Sequence, residues 1–203
     1  MDKIIYTIGY SSFINIEDFL NQLKKYQINV LIDVRSVPIS SEFYKIYSKQ
    51  SLSVYLKNND IIYRNYAKEF GARQENQKYY NNEYFNFADF LNSDIFHSGI
   101  EKVEKGINLG YKFILMCAEK DPIMCHRAIM VSRGFKNCGY TVKHILANGN
   151  IQTQNDIENR LVDLYFPNRN QLNLFENKTL DDYVREAYQK QNKKIGYKKE
   201  TSI

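Results

Sequence analysis

The chain has 203 residues, enough for one domain with a sizeable core and an added tail. Hydrophobic residues make up 43% and charged ones 25%, the balance expected of a soluble globular protein. No apolar run approaches a membrane span, the N-terminal MDKIIYTIGY lacks a signal-peptide core, and three cysteines show no disulfide-like spacing. A cytoplasmic protein without a membrane partner is expected. The net charge of +5 permits an anionic partner without demanding one.

Lys3 to Ile8 reads as a first strand ending in the tight turn Gly9-Tyr10-Ser11-Ser12. Phe13, Ile16, Phe19, Leu20 and Leu23 recur at helical spacing, so a helix runs to Lys25 with Asn15 as its N-cap. Asn29 to Val34 is a near-continuous apolar run, the mark of a central parallel strand, with Asp33 and Arg35 at its carboxyl end.

Between Arg35 and Arg73 basic residues alternate with tyrosines. Within this stretch Ser48 to Asn58 reads as a helix and Ile61 to Tyr63 as a short strand. Interleaved cations and aromatics suit phosphates and stacked bases, so a nucleotide or nucleic acid is a candidate partner. The plainer reading is a solvated face whose tyrosines pack on the sheet, and the overall richness in Lys and Tyr favours it. Tyr84, Phe85, Phe87, Phe90 and Leu91 have the spacing of a core helix, and a further helix over Ile100 to Leu109 ends at Gly110.

Tyr111 to Met116 is a short buried strand with Cys117 where it ends. A polar turn through Glu119 leads to Pro122, a natural first-turn residue, and a helix is predicted from about Met124 to Cys138. Its opening turns carry Cys125, His126 and Arg127. Ligands in open α/β sheets bind outside the carboxyl ends of the strands, where helix N-termini present free N–H groups. Cys117 is therefore the candidate nucleophile with a lowered pKa, His126 a proton carrier and Arg127 an anion clamp, with Cys125 and Glu119 beside them. Packing alone is an equal reading for both cysteines, since free thiols are often buried.

Thr7, Gly9, Tyr10 and Ser11, with Asp33 and Arg35, are the candidate substrate-binding residues at the same mouth of the sheet. Gly9 could bring backbone N–H groups to a phosphate. A metal centre using Cys117, Cys125, His126 and His144 is disfavoured by the wide cysteine spacing and the awkward adjacency of Cys125 and His126, so neither metal nor cofactor is assigned. Thr141 to Leu146 is a last strand and Asp156 to Tyr165 a helix closed by Pro167. Strands alternating with helices indicate an α/β three-layer sandwich with a mostly parallel sheet. A domain over residues 1–167 is expected, followed by a linker and a basic helical tail over 168–203, where Thr179 caps a helix and the last lysines are mobile.

The stretches TIGYS and LIDVRSVP, the segment Glu69 to Arg73 and above all MCAEKDPIMCHR resemble the DUF488 family, a domain of unknown function, from about Lys3 to Phe166. The tail resembles that of the longer members. There is a weaker architectural likeness to rhodanese-like proteins, where a strand ending in Asp-Val-Arg also precedes a strand–Cys–loop–helix. Those families place the arginine closer, whereas nine residues separate Cys117 from Arg127 here, and Glu119 and Asp121 would repel an anion. Two classes remain: an enzyme acting on an anionic substrate at the Cys/His/Arg pocket, and a DNA-associated binding module without catalysis. Sulfur transfer at Cys117 is the further alternative. Gln171, Leu172, Leu174 and Phe175, around Asn173, resemble the pentapeptide that binds the bacterial sliding clamp, which would place the chain in DNA metabolism.

Overall fold

The fold is that of a computed structural model that describes residues 3–81, 83–169 and 178–199. Six strands form one sheet: β1 (Ile4–Gly9), β2 (Val30–Asp33), β3 (Ile62–Asn65), β4 (Phe113–Cys117), β5 (Thr141–Ile145) and β6 (Ile151–Thr153). Their order is β3-β2-β4-β1-β5-β6, with the first five parallel and β6 antiparallel to β5. The short β6 follows the strand expected to be last. It lacks an apolar signature because all three of its residues are only half-buried.

Alternation along the central strands feeds two cores. Ile114 and Met116 of β4 join Leu31 and Ile8 beneath α1 (Ile16–Lys25) and α2 (Lys49–Lys57). On the other face Phe113, Leu115 and Cys117 meet the aromatic residues of α4 (Phe87–Leu91) and α5 (Asp94–Asn108). The three-layer sandwich is thus built as the period-2 pattern requires. The short α3 (Ala67–Phe70) packs against α5, with Phe70 edge-on to Phe96.

Local capping follows the sequence. Asn15 accepts from Glu17 N–H at the start of α1, and Thr179 forms a capping box with Asp182 at the start of α8 (Leu180–Ile195). α8 is not a loose appendage. It packs on α7 (Gln154–Tyr165) and buries Ala187, Tyr188, Gln191 and Asn192. Of the residues after it, the described 196–199 make two contacts: Phe85 N–H donates to the Tyr197 carbonyl (2.9 Å), and Lys199 Nζ donates to the Glu75 carbonyl (3.0 Å). Among the described residues no helix is long and apolar enough to cross a membrane. The clamp-like residues Gln171, Leu172, Leu174 and Phe175 lie outside the described residues.

The helix predicted from Met124 to Cys138 takes another form. Pro122–Met124 is a 3-10 turn capped by Asp121, Cys125 is extended, Arg127–Ser132 is π-helical, and only Arg133–Asn137 is α-helical, as α6. Ser132 Oγ donates to the Arg127 carbonyl at 2.7 Å, closing the wider turn. Apolar periodicity does not distinguish the two helix types.

Candidate functional site

Strands β2 and β4 are neighbours whose continuations diverge: β2 leads outward through α2 to β3, while β4 leads past β1 to β5 on the opposite face. A gap opens at their carboxyl ends, the usual position of a ligand site in such sheets. Here it is a cleft of about 280 Å³. Tyr10 follows β1, Arg35 to Val37 follow β2, and Cys117 to Glu119 end β4. Arg73 comes from the loop after α3, and Ile195 and Tyr197 from the end of the tail.

Four reactive side chains meet at its floor. Cys117 Sγ lies 3.0 Å from Glu119 Oε2 and 3.7 Å from His126 Nδ1, and Cys125 Sγ lies 2.7 Å from the same carboxylate oxygen. Their ligand atoms all fall within 4.8 Å of one another. Adjacent residues 125 and 126 can both reach this point because the backbone changes conformation between them. Cys125 is extended (φ −129°, ψ 134°) and His126 helical (φ −59°, ψ −25°). Adjacency in sequence is thus no obstacle to the two side chains sharing one site, and Glu119 adds a carboxylate beside them. His126 Nε2 is 3.0 Å from the Val34 carbonyl, which can only accept, so Nε2 carries a proton and Nδ1 faces the cluster.

The Cys117 thiol is pushed well up rather than down, reversing the expectation. It is 2% exposed, and burial is the main cause, reinforced by Cys125 and by the Glu119 carboxylate. Glu119 is exposed as a residue, but the crowding of its carboxylate against the two sulfurs strips part of its water and raises it, with Cys125 adding to the rise. His126 rises although burial opposes its charge, because Cys125 and Glu119 favour the imidazolium. Burial likewise works against a Cys125 thiolate, yet the Cys117 hydrogen bond and the Arg127 charge prevail and lower it.

Arg127 does not line the cleft. It is completely buried and donates through Nη1 to the Glu119 carbonyl (2.6 Å) and through Nη2 to the Lys120 carbonyl (3.5 Å). It thus fixes the loop that carries Glu119. Gly9 is part of the same device: a Cβ there would fall 2.0 Å from the Glu119 carbonyl oxygen and 3.1 Å from Arg127 Nη2. Its role is close approach, not a phosphate cradle. Ser11 N–H is likewise occupied, donating to the Ala118 carbonyl at 3.1 Å.

Of the candidate substrate residues, Tyr10 and Arg35 line the cleft. Arg35 is held in place by Asp33, with Nε to Oδ1 at 2.8 Å and Nη2 to Oδ2 at 2.5 Å, and its guanidinium lies 5.0 Å from the Tyr10 ring centre. Asp33 is fully buried and also accepts from Tyr63 Oη (2.7 Å), so it is the structural partner of Arg35. Thr7 belongs to another network, 2.7 Å from His144 Nδ1. His144 Nε2 in turn meets Gln154 Oε1 at 2.8 Å, so both of its ring nitrogens are committed away from the cysteine cluster. Asp121 turns away to pair with Arg160 at 2.8 Å and does not repel a ligand in the cleft.

The interleaved tyrosines mostly pack, as the plainer reading has it. Tyr47 is fully buried and stacks on Tyr10 with ring centres 4.6 Å apart, and Tyr44, Tyr55 and Tyr63 lie against the same core. Arg73 is different. It is exposed, forms no ion pair among the described residues and lies over the Tyr197 ring at 4.7 Å. Arg73 stood in the sequence within the Glu-Phe-Gly-Ala-Arg segment, but nothing local placed it or Tyr197 at the cleft.

A family model described as a domain of unknown function, DUF488, matches residues 15–133. The chain belongs to the DUF488 family. The matched region supplies β2, β4, Arg35, Arg73 and the whole cysteine cluster, whereas β1, β5 and the tail helix that walls the DUF488 cleft lie outside it. Comparison with curated proteins and with solved structures gives no match.

Proposed function

We propose that this DUF488 protein is an enzyme that acts on an anionic substrate, a nucleotide or nucleic acid, in the cleft at the carboxyl ends of β2 and β4. The observation that carries this reading is the convergence of Cys117, Glu119, Cys125 and His126 at the floor of a cleft whose rim holds the exposed Arg73, which forms no ion pair among the described residues. Arg73 supplies the positive charge for the substrate anion, while Arg35, neutralised by Asp33 and bonded also to the Tyr47 carbonyl and Ser40, shapes the wall of the cleft beside Tyr10. Glu119 and His126 are the groups able to take and give protons. Arg127 and Gly9 act as positioning residues that keep Glu119 in place.

Sulfur transfer fits less well. A carboxylate oxygen 3.0 Å from the Cys117 sulfur stands where an anionic sulfur donor would approach, and it opposes thiolate formation. A purely binding role is distinguished by turnover.

Substrate binding is tested with a fluorescein-labelled single-stranded oligonucleotide, read by anisotropy across a salt series. Affinity should fall steeply with salt, and Arg73→Ala should weaken binding about tenfold at low salt while lowering the salt slope. Equal affinity of the two proteins, or no binding at low salt, would overturn the assignment of the substrate class.

A further inference from the structure

We infer that Cys117, Cys125, His126 and Glu119 form a binding site for a single zinc ion at the floor of the cleft. The inference goes beyond the substrate reading: with zinc bound, Glu119 and His126 would hold the ion rather than carry protons, and the test does not depend on activity.

The donor set is two sulfurs, one imidazole nitrogen and one carboxylate oxygen, brought together from the end of β4 and the turn after it. That mixture suits a borderline-soft ion with tetrahedral geometry and is foreign to magnesium or calcium, which take oxygen. Ordinary zinc bond lengths place tetrahedral donors roughly 3.3 Å apart for nitrogen and oxygen and roughly 3.8 Å apart for two sulfurs. Here Cys117 Sγ and His126 Nδ1 are already 3.7 Å apart, and no pair of donors exceeds 4.8 Å. The two sulfur–carboxylate contacts, at 3.0 and 2.7 Å, would open to roughly 3.6 Å, within reach of a turn of the Glu119 side chain.

Two further observations point to a cation. His126 is prepared as a ligand, because its bond to the Val34 carbonyl holds the proton on Nε2 and turns the Nδ1 lone pair towards the sulfurs. Such outer hydrogen bonds orient metal-binding histidines. Arg127 is a fully buried cation that among the described residues meets only backbone carbonyls, and its Nε has no partner. A buried guanidinium calls for a nearby negative charge. Zinc bound by two thiolates and a carboxylate carries a net charge of minus one, which Arg127 balances. Cys117, Glu119 and His126 line the cleft, so the ion would present one face to whatever binds there, while Cys125 anchors it from behind.

The experiment uses the full chain purified without chelators from cells grown with added zinc. Inductively coupled plasma mass spectrometry should find about one zinc per chain, a stoichiometry fitting a single four-ligand site. Cys117→Ser and Cys125→Ser should each lose it. Cys138→Ser, whose sulfur belongs to no such cluster, should keep it. Cobalt titration of the stripped wild-type protein gives an independent reading that does not require the variants to fold. A thiolate-to-cobalt charge-transfer band in the near ultraviolet, saturating at one equivalent, is expected. A folded wild-type protein that holds no zinc and develops no such band would overturn the inference. So would zinc retained at full stoichiometry by a folded Cys117→Ser/Cys125→Ser double variant.

Discussion

Lowering the pH from 7 to 5 should cost the fold about 2 kcal/mol through His144 alone. His144 is completely buried between β1, β5 and α7. Gln154 Nε2 is committed to two acceptors, the Ala128 carbonyl (3.0 Å) and Tyr188 Oη (2.7 Å), so Gln154 Oε1 must accept from His144 Nε2. The imidazole is therefore the neutral Nε2–H tautomer, and its Nδ1 accepts from the Thr7 hydroxyl. A second proton would place Nδ1–H against that hydroxyl in a dry site. Burial is the largest cause holding the folded pKa down, to about 3, and the Arg127 and Arg160 charges add to it, while Gln154 and Cys125 work the other way. A histidine whose folded pKa is depressed binds its proton in the unfolded chain first. Its contribution is thus complete above the unfolded pKa of about 6.5 and is lost as the pH falls towards 3, at about 1.4 kcal/mol per pH unit. Urea unfolding of the wild type and of His144→Gln at pH 7, 6 and 5 provides the measurement. The variant should start less stable, and the gap between the two proteins should narrow by about 2 kcal/mol between pH 7 and 5. Parallel pH dependences would refute the reasoning, because carboxylates elsewhere titrate equally in both.

Gly9→Ala places a methyl 2.0 Å from the Glu119 carbonyl oxygen, so it should cost about 1–3 kcal/mol in chemical denaturation, and wild-type stability would disprove the close approach. Tyr188→Ala removes a ring that is 2% exposed and stacked under Arg133 at 4.2 Å; a loss of about 3–5 kcal/mol by the same measurement would mark the tail helix as core, and a loss below about 1 kcal/mol would mark it as an appendage.

Much of the fold was legible because its central strands are short, apolar on both faces and sharply ended. Val30 to Asp33 and Phe113 to Cys117 are buried at every position, so their runs stand out against the helical periodicities between them. The site was legible as a place. Cys117, Glu119, Cys125 and His126 lie within ten residues of one another, where a strand must end. What sequence could not yield was direction. Arg127 is one residue from His126, yet the π-helical turn that begins with it points it inward to the Glu119 carbonyl. Thr7 reads as a substrate residue at the mouth of the sheet and His144 as a possible metal ligand, yet they meet each other inside the fold, 137 positions apart in the chain. Arg73 and Tyr197 reach the cleft only through packing of α3 and α8, a long-range outcome that no local pattern records.

Whether the cleft turns a substrate over is read most directly by product formation. The wild-type protein is incubated with nucleoside mono-, di- and triphosphates and with short single-stranded DNA and RNA, and the products are followed by liquid chromatography and mass spectrometry. The same incubations are run with Glu119→Gln and His126→Ala. The wild type should convert at least one of these anions, and each variant should lose about a hundredfold or more in rate, the contribution of a group that moves a proton or holds the metal at the reacting centre. No conversion of any of them by a folded wild type that binds the oligonucleotide, or wild-type rates in both variants, would contradict the assignment of this cleft as an active site.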